Sequence, residues 1–135
     1  MSGLLAILSA IPVAAIVYLG FLANRKYSNL SRFVTNVTAP QALKLINENK
    51  NMLILDVRTK DEFKSGHIKG AILIPYNELE RRIIEIEKYK DKPTLVYCQS
   101  GRRGSIAVNT LIKNGFIDIY HLYKGFSSWP YEVVK

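Results

Sequence analysis

The chemistry of this chain centres on Cys98, the only cysteine among its 135 residues. It stands in Val96-Tyr97-Cys98-Gln99-Ser100-Gly101-Arg102-Arg103-Gly104-Ser105, where small polar residues, glycines and arginines follow the thiol. The apolar run from Thr94 to Tyr97 predicts a buried strand ahead of it, and Ile106, Ala107, Leu111 and Ile112 have helical spacing behind it. A strand, a tight loop and a helix N-terminus make an anion cradle, because backbone N–H groups converge there and the helix dipole favours negative charge. That dipole and both arginines favour a thiolate over a thiol. A cysteine nucleophile in an anion-binding loop is therefore expected, with Gly101 and Gly104 letting the backbone curl closely around a small group.

Other chemistries are poorly served. A single cysteine excludes an intrachain disulfide framework and a cysteine-rich zinc site. His67 and His121 are far apart in sequence and do not look like metal ligands, so neither a metal nor a cofactor is expected. The net charge of +8 raises the question of nucleic acid. The basic residues are scattered and interleaved with Asp and Glu through residues 48–92, so no nucleic-acid partner is expected.

The elements that must position the loop follow from the pattern along the chain. Residues 3–23 carry no charge and reach the roughly 20 apolar residues of a membrane-spanning helix. Arg25, Lys26 and Arg32 follow directly, which by the positive-inside rule places the rest of the chain in the cytoplasm. Residues 1–24 are thus expected to be a single-pass transmembrane anchor rather than a cleaved signal peptide, 25–35 a polar linker, and 36–135 the catalytic domain. Within that domain Thr38 is a candidate N-cap for a helix containing Pro40 and Gln41. Met52–Leu55 and Ala71–Ile74 read as strands, Lys60–Lys64 as a brief helix, and Asn77 as the cap of a helix through about Tyr89. A helix ends near Asn114-Gly115, Ile117–Leu122 makes another strand, and Gly125–Trp129 a last short turn. Strands alternating with helices predict an α/β fold with a mostly parallel sheet covered on both faces, preceded by one transmembrane helix. Asp56-Val57-Arg58 and Cys98 both fall at predicted strand C-terminal ends, where ligands of such sheets gather.

Three motifs carry a family resemblance. Leu55-Asp56-Val57-Arg58 with Glu62-Phe63, Gly66-His67-Ile68, Gly70-Ala71 and Ile74-Pro75 resembles the first signature of rhodanese (sulfurtransferase) domains. Tyr97-Cys98-Gln99-Ser100-Gly101-Arg102-Arg103 resembles their active-site loop, and Lys124-Gly125-Phe126-Ser127-Ser128-Trp129-Pro130 their closing signature. The likeness runs over roughly residues 36–131. It implies that Cys98 takes a sulfane sulfur from a small anionic donor such as thiosulfate, holds it as a persulfide and passes it to an external thiol, cyanide or protein acceptor. Gln99, Ser100, Gly101, Arg102, Arg103 and Gly104 are the expected substrate-binding loop. The chain departs from the family at Phe126, where many members have a second glycine, and only a local packing change is expected from it.

Several residues have two readings. Arg58 is either a second anion contact, and is counted here with the substrate-binding residues, or an ion-pair brace with Asp56. Asp56 is read as scaffold, His67 as a hydrogen-bonded structural residue, and Trp129 as packing. Cations at a helix start oppose the dipole, and an anion in the loop would account for Arg102 and Arg103. A cysteine-dependent phosphatase or arsenate reductase is the chemical alternative. Such enzymes resemble Cys-x5-Arg, and here that arginine position is Gly104. A membrane-tethered, non-catalytic interaction module, with residues 3–23 as its membrane contact, is the third reading.

Overall fold

Apolar side chains running along both faces of three short central strands decide the architecture. The computed structural model describes residues 11–135, apart from the side chains of residues 27–29. The chain divides into two units, Met1–Arg32 and Phe33–Lys135. In the second unit the order is β1 (Val34–Val37), α2 (Ala39–Glu48), β2 (Leu53–Asp56), α3 (Lys60–Ser65), β3 (His67–Ile68) and β4 (Ile72–Leu73). There follow α4 (Leu79–Arg82) running into a 3-10 stretch Ile83–Tyr89, β5 (Thr94–Tyr97), α5 (Arg102–Lys113), β6 (Ile119–Leu122), a 3-10 turn Phe126–Ser128 and β7 (Val133–Val134). The five-stranded sheet has the order β1-β6-β5-β2-β4, and every neighbouring pair in it is parallel. β3 and β7 form a separate antiparallel pair.

Successive side chains of a strand face opposite sides of the sheet, and both sides are apolar here. Leu53, Leu55, Val57, Val96, Cys98 and Ile119 pack with Ala107, Val108 and Leu111 of α5. Ile54, Leu95, Tyr97 and Leu122 pack on the other side with Ala39 and Ala42 of α2. β2 and β5 are buried along their whole length, as expected for central parallel strands. The helix starts also follow local chemistry. Thr38 opens α2 with its N–H donated to Gln41 Oε1 at 2.9 Å, and Thr59 opens α3 in a reciprocal capping box with Glu62.

Three expectations are corrected. The first is the membrane anchor. Residues 3–10 of the expected span lie outside the described residues, and among the described residues no helix is long and apolar enough to cross a membrane. The helix present, α1 (Val13–Leu30), runs on through Asn24, Arg25 and Lys26, so its apolar stretch ends at Ala23, short of the roughly 20 residues a span requires. The membrane partner and the cytoplasmic single-pass assignment both rested on that span and fall with it. The second correction concerns the linker, since β1 lies partly within residues 25–35. It is an edge strand beside β6, pairing Val34 with Ile119 and Val37 with Leu122. The third is the helix capped at Asn77. Its cap is Glu78, and it tightens to 3-10 geometry after Arg82, with only Leu79 and Ile86 buried.

Candidate active site

Cys98 leaves the C-terminal end of β5, on the same side of the sheet as Val96, which turns its sulfur beneath the start of α5. Only 1% of the residue is exposed. The backbone N–H of Gly101 donates to Sγ at 3.0 Å. Gly101 is the N-cap of α5 with φ +114°, and a Cβ there would collide with the carbonyl oxygen of Tyr123. Both facts restrict the position to glycine. The N–H groups of the first turn, from Arg102 to Gly104, have no intrahelical partners and converge at the same end of the helix.

The closing segment holds this loop from the other side. Phe126 N–H donates to the Cys98 carbonyl at 2.8 Å and Ser127 N–H to the Gln99 carbonyl at 3.0 Å, while Gly125 packs directly on the Gln99 peptide. The Phe126 ring lies 4.2 Å from the guanidinium carbon of Arg58 and stacks with Tyr97 at 5.9 Å. Phe126 therefore belongs to the site. The expectation of a purely local packing change is corrected, because the chain folds the closing segment back onto the loop.

The three arginines have separate placements. Arg58, 2% exposed, makes a bidentate pair with Asp56, with Nη2 to Oδ2 at 2.7 Å and Nε to Oδ1 at 3.0 Å. It also donates to the Gly66 carbonyl at 2.7 Å and to Gln99 Oε1 at 3.1 Å. Burial opposes its charge, and the Asp56 carboxylate more than offsets that, so Arg58 is held protonated. With its guanidinium engaged by Asp56, Gly66 and Gln99, Arg58 is placed as a brace under the loop rather than as a free anion contact. Asp56, read as scaffold, is the other half of that brace.

Arg103 reaches from the first turn of α5 to α3, with Nη1 and Nη2 on the two Glu62 oxygens at 2.7 and 2.9 Å. Its guanidinium is held in its charged form by those hydrogen bonds first, with a smaller contribution from charge on Cys98. Arg102, beside it, is exposed and has no hydrogen-bond or ion-pair partner among the described residues. The pairing of Arg103 makes Glu62 titrate low. Its hydrogen bonds with Arg103, reinforced by Thr59, bring the carboxyl from an ordinary 4.5 to about 2 against the opposing effect of burial. A depressed carboxyl contributes stability that is complete above about pH 4.5 and is lost as pH falls towards 2. Because the two side chains are 26% and 29% exposed, about 1 kcal/mol is expected. In denaturant titrations from pH 6 to pH 2, wild type should lose this advantage over Glu62→Gln, and an advantage unchanged with pH would contradict the pairing.

A cavity of about 480 Å³ beside the loop is bounded by Glu62, Arg58, Gln99 and Phe126 among others. Of the expected site residues, the loop from Cys98 to Gly104 is brought together, with Gln99 half-buried and Ser100 exposed. His67 is stacked on Phe63 at 3.6 Å, with Nδ1 2.8 Å from the Phe63 carbonyl, as a structural residue would be. Trp129 packs edge-on to Tyr131. Sequence reasoning left out Glu62, Phe126 and His121. Glu62 and Phe126 lay within quoted motifs, which was their only signal. Among the described residues no group of three or more His, Cys, Asp or Glu side chains is placed to hold a metal ion.

Comparison with known proteins agrees with this arrangement. The chain is 32% identical over 125 residues to the uncharacterized protein YibN of Escherichia coli (strain K12), covering 90% of this chain and 87% of YibN. It is 30% identical over 82 residues to the thiosulfate sulfurtransferase GlpE of Coxiella burnetii, covering 61% and 75% of the two chains. Among solved structures, a rhodanese-related protein from Thermoplasma volcanium superposes with a TM-score of 0.64 at 31% identity, covering 73% of this chain and 96% of the other. The sequence pattern of the rhodanese-like domain family matches residues 38–131, and the chain belongs to that family.

Proposed function

We propose that the protein is a sulfurtransferase in which Cys98 carries sulfur as a persulfide between an anionic donor and an external acceptor. The observation that carries this reading is the Gly101 N–H donated to Sγ at 3.0 Å at the start of α5, with the Arg103 guanidinium in electrostatic reach of the same sulfur. We assign the activity to residues 36–135. The similarity to a protein named as a thiosulfate sulfurtransferase supports thiosulfate as a donor.

Two displacements complete the cycle. The Cys98 thiolate attacks the outer sulfur of thiosulfate, the bond from that sulfur to the sulfonate sulfur breaks, and its electron pair departs with sulfite. The loop N–H groups receive the charge of the transferred sulfur, and the arginines lower the cost of bringing one anion to another. In the second step an acceptor thiolate or cyanide attacks the outer sulfur, and the electron pair of the breaking S–S bond returns to Sγ. With no second cysteine in the chain, the acceptor is external.

Arg102, exposed and unpaired, is the arginine available to receive the donor. Arg102→Ala is expected to raise KM for thiosulfate about ten-fold with stability unchanged. Arg103→Ala is expected instead to lower stability, because it strips Glu62 of its partner. Equal KM effects with no stability difference would contradict this division. The phosphatase alternative has a steric obstacle. The position of its arginine is Gly104, and a Cβ there would lie 2.5 Å from His121 Nε2. Thiocyanate formation from thiosulfate and cyanide, run beside hydrolysis of an aryl phosphate, tests the reading. Sulfur transfer without phosphate release is expected, and aryl phosphate turnover without sulfur transfer would overturn it.

A further inference from the structure

The cavity of about 480 Å³ beside the loop has three charged side chains in its walls, Arg58, Asp61 and Glu62. Two of them are neutralised. Arg58 pairs with Asp56 at 2.7 Å, and Glu62 with Arg103 at 2.7 Å. Asp61 is exposed, and its carboxylate has no ion pair or hydrogen bond among the described residues. Lys64, three positions further along α3, makes no ion pair with it. The Ser65 hydroxyl is donated to the Asp61 backbone carbonyl at 3.0 Å rather than to the carboxylate. The cavity thus presents one uncompensated charge, and it is negative. Its other walls are neutral, with the Phe126 ring as the apolar one.

The uncompensated positive charge lies on another side of the loop. Arg103 turns to α3 and is held there by Glu62. Arg102, one residue earlier on α5, leaves the helix about 100° away and is exposed without a partner among the described residues. An anionic donor is drawn to that side. The cavity is tied to the cysteine through its own walls, since Gln99 is the next residue and Phe126 donates its N–H to the Cys98 carbonyl at 2.8 Å. A persulfide carries its outer sulfur about 2 Å beyond Sγ, and an acceptor must come to that atom from outside the loop. A short thiol that comes from this recess leaves its tail among walls that include Asp61 and Phe126. Opposite charge on that tail is favoured there, and like charge is opposed.

We infer, on the strength of the sulfurtransferase reading, that this cavity is the acceptor subsite, that it selects small thiols with a cationic tail, and that Asp61 sets the selection. In the transfer the acceptor thiolate attacks the outer sulfur, the bond from that sulfur to Sγ breaks, and its electron pair returns to Sγ. The acceptor leaves as a persulfide. Asp61 takes no part in these bond changes and acts on the tail alone. Cysteamine and mercaptopropionate are matched in length and opposite in tail charge. Protein loaded with thiosulfate and freed of excess donor is mixed with each, and loss of sulfur from Cys98 is timed. Comparing the ratio of the two rates between wild type and Asp61→Asn cancels the thiols' own differences in acidity. The ratio of cysteamine to mercaptopropionate is expected to fall about five-fold in Asp61→Asn, the effect of one exposed charge acting oppositely on two tails, and further in Asp61→Lys. In wild type, added salt should lower the same ratio, an arm that needs no variant to fold. An equal ratio in wild type and Asp61→Asn, or a wild-type ratio indifferent to salt, would overturn the inference. If wild type takes up no sulfur, the sulfurtransferase reading fails separately. The disulfides of the same two thiols then report the charge preference through their rates of mixed-disulfide formation with Cys98, and a rate ratio unmoved by Asp61→Asn would overturn the role of Asp61 there as well.

Discussion

Replacing Arg58 by alanine is expected to lower folding stability by about 3–5 kcal/mol, because it leaves a buried carboxylate without its partner. Asp56 is 0% exposed and Arg58 2%, and the guanidinium is the only ion-pair partner of Asp56 among the described residues. The same substitution removes the hydrogen bonds to the Gly66 carbonyl and Gln99 and the cation lying over Phe126. For a domain of this size the loss corresponds to a fall of more than about 10 °C in melting temperature. Arg58→Lys keeps the charge without the planar fork and should fall between the two. A raised KM for thiosulfate at unchanged stability would contradict the brace and restore Arg58 as a donor contact.

Cys98→Ser is expected to remove sulfur transfer to below about one-thousandth of wild type, since no other side chain in the chain can carry a persulfide. The fold should survive. A serine hydroxyl is close in size to the thiol and can accept the Gly101 N–H that now meets Sγ at 3.0 Å. Thermal denaturation within a few degrees of wild type would confirm that the lost turnover is chemical. Turnover within ten-fold of wild type would place the chemistry elsewhere.

The central architecture was legible because its signals are local. The run Thr94–Tyr97, the glycines of the loop and the helical spacing after it located β5, the cradle and α5 within a residue or two, and Thr38 marked the start of α2. What escaped depends on contacts between residues distant in sequence. Glu62 and Arg103 are 41 positions apart and meet only because α3 and α5 start at the same end of the sheet. Phe126 reaches the loop through the return of the chain after β6. His121 looks like any other residue of its strand until Gly104 is placed over it. β1 was missed because Thr35 and Asn36 are exposed at a sheet edge, so its apolar signal is only Val34 and Val37. The helix from Asn77 was overextended because Ile83, Ile84 and Ile86 mimic helical periodicity, while Ile84 is 76% exposed. The anchor was read from a charge-free stretch that α1 does not honour, since it starts at Val13 and continues into charged residues.

The most direct measurement is the intact mass of the protein after incubation with thiosulfate and removal of excess donor. The account predicts a gain of about 32 Da, one sulfur atom held covalently, that is absent from Cys98→Ser and is discharged by cyanide or an added thiol. A wild-type mass unchanged by thiosulfate, or the same gain in Cys98→Ser, would contradict it.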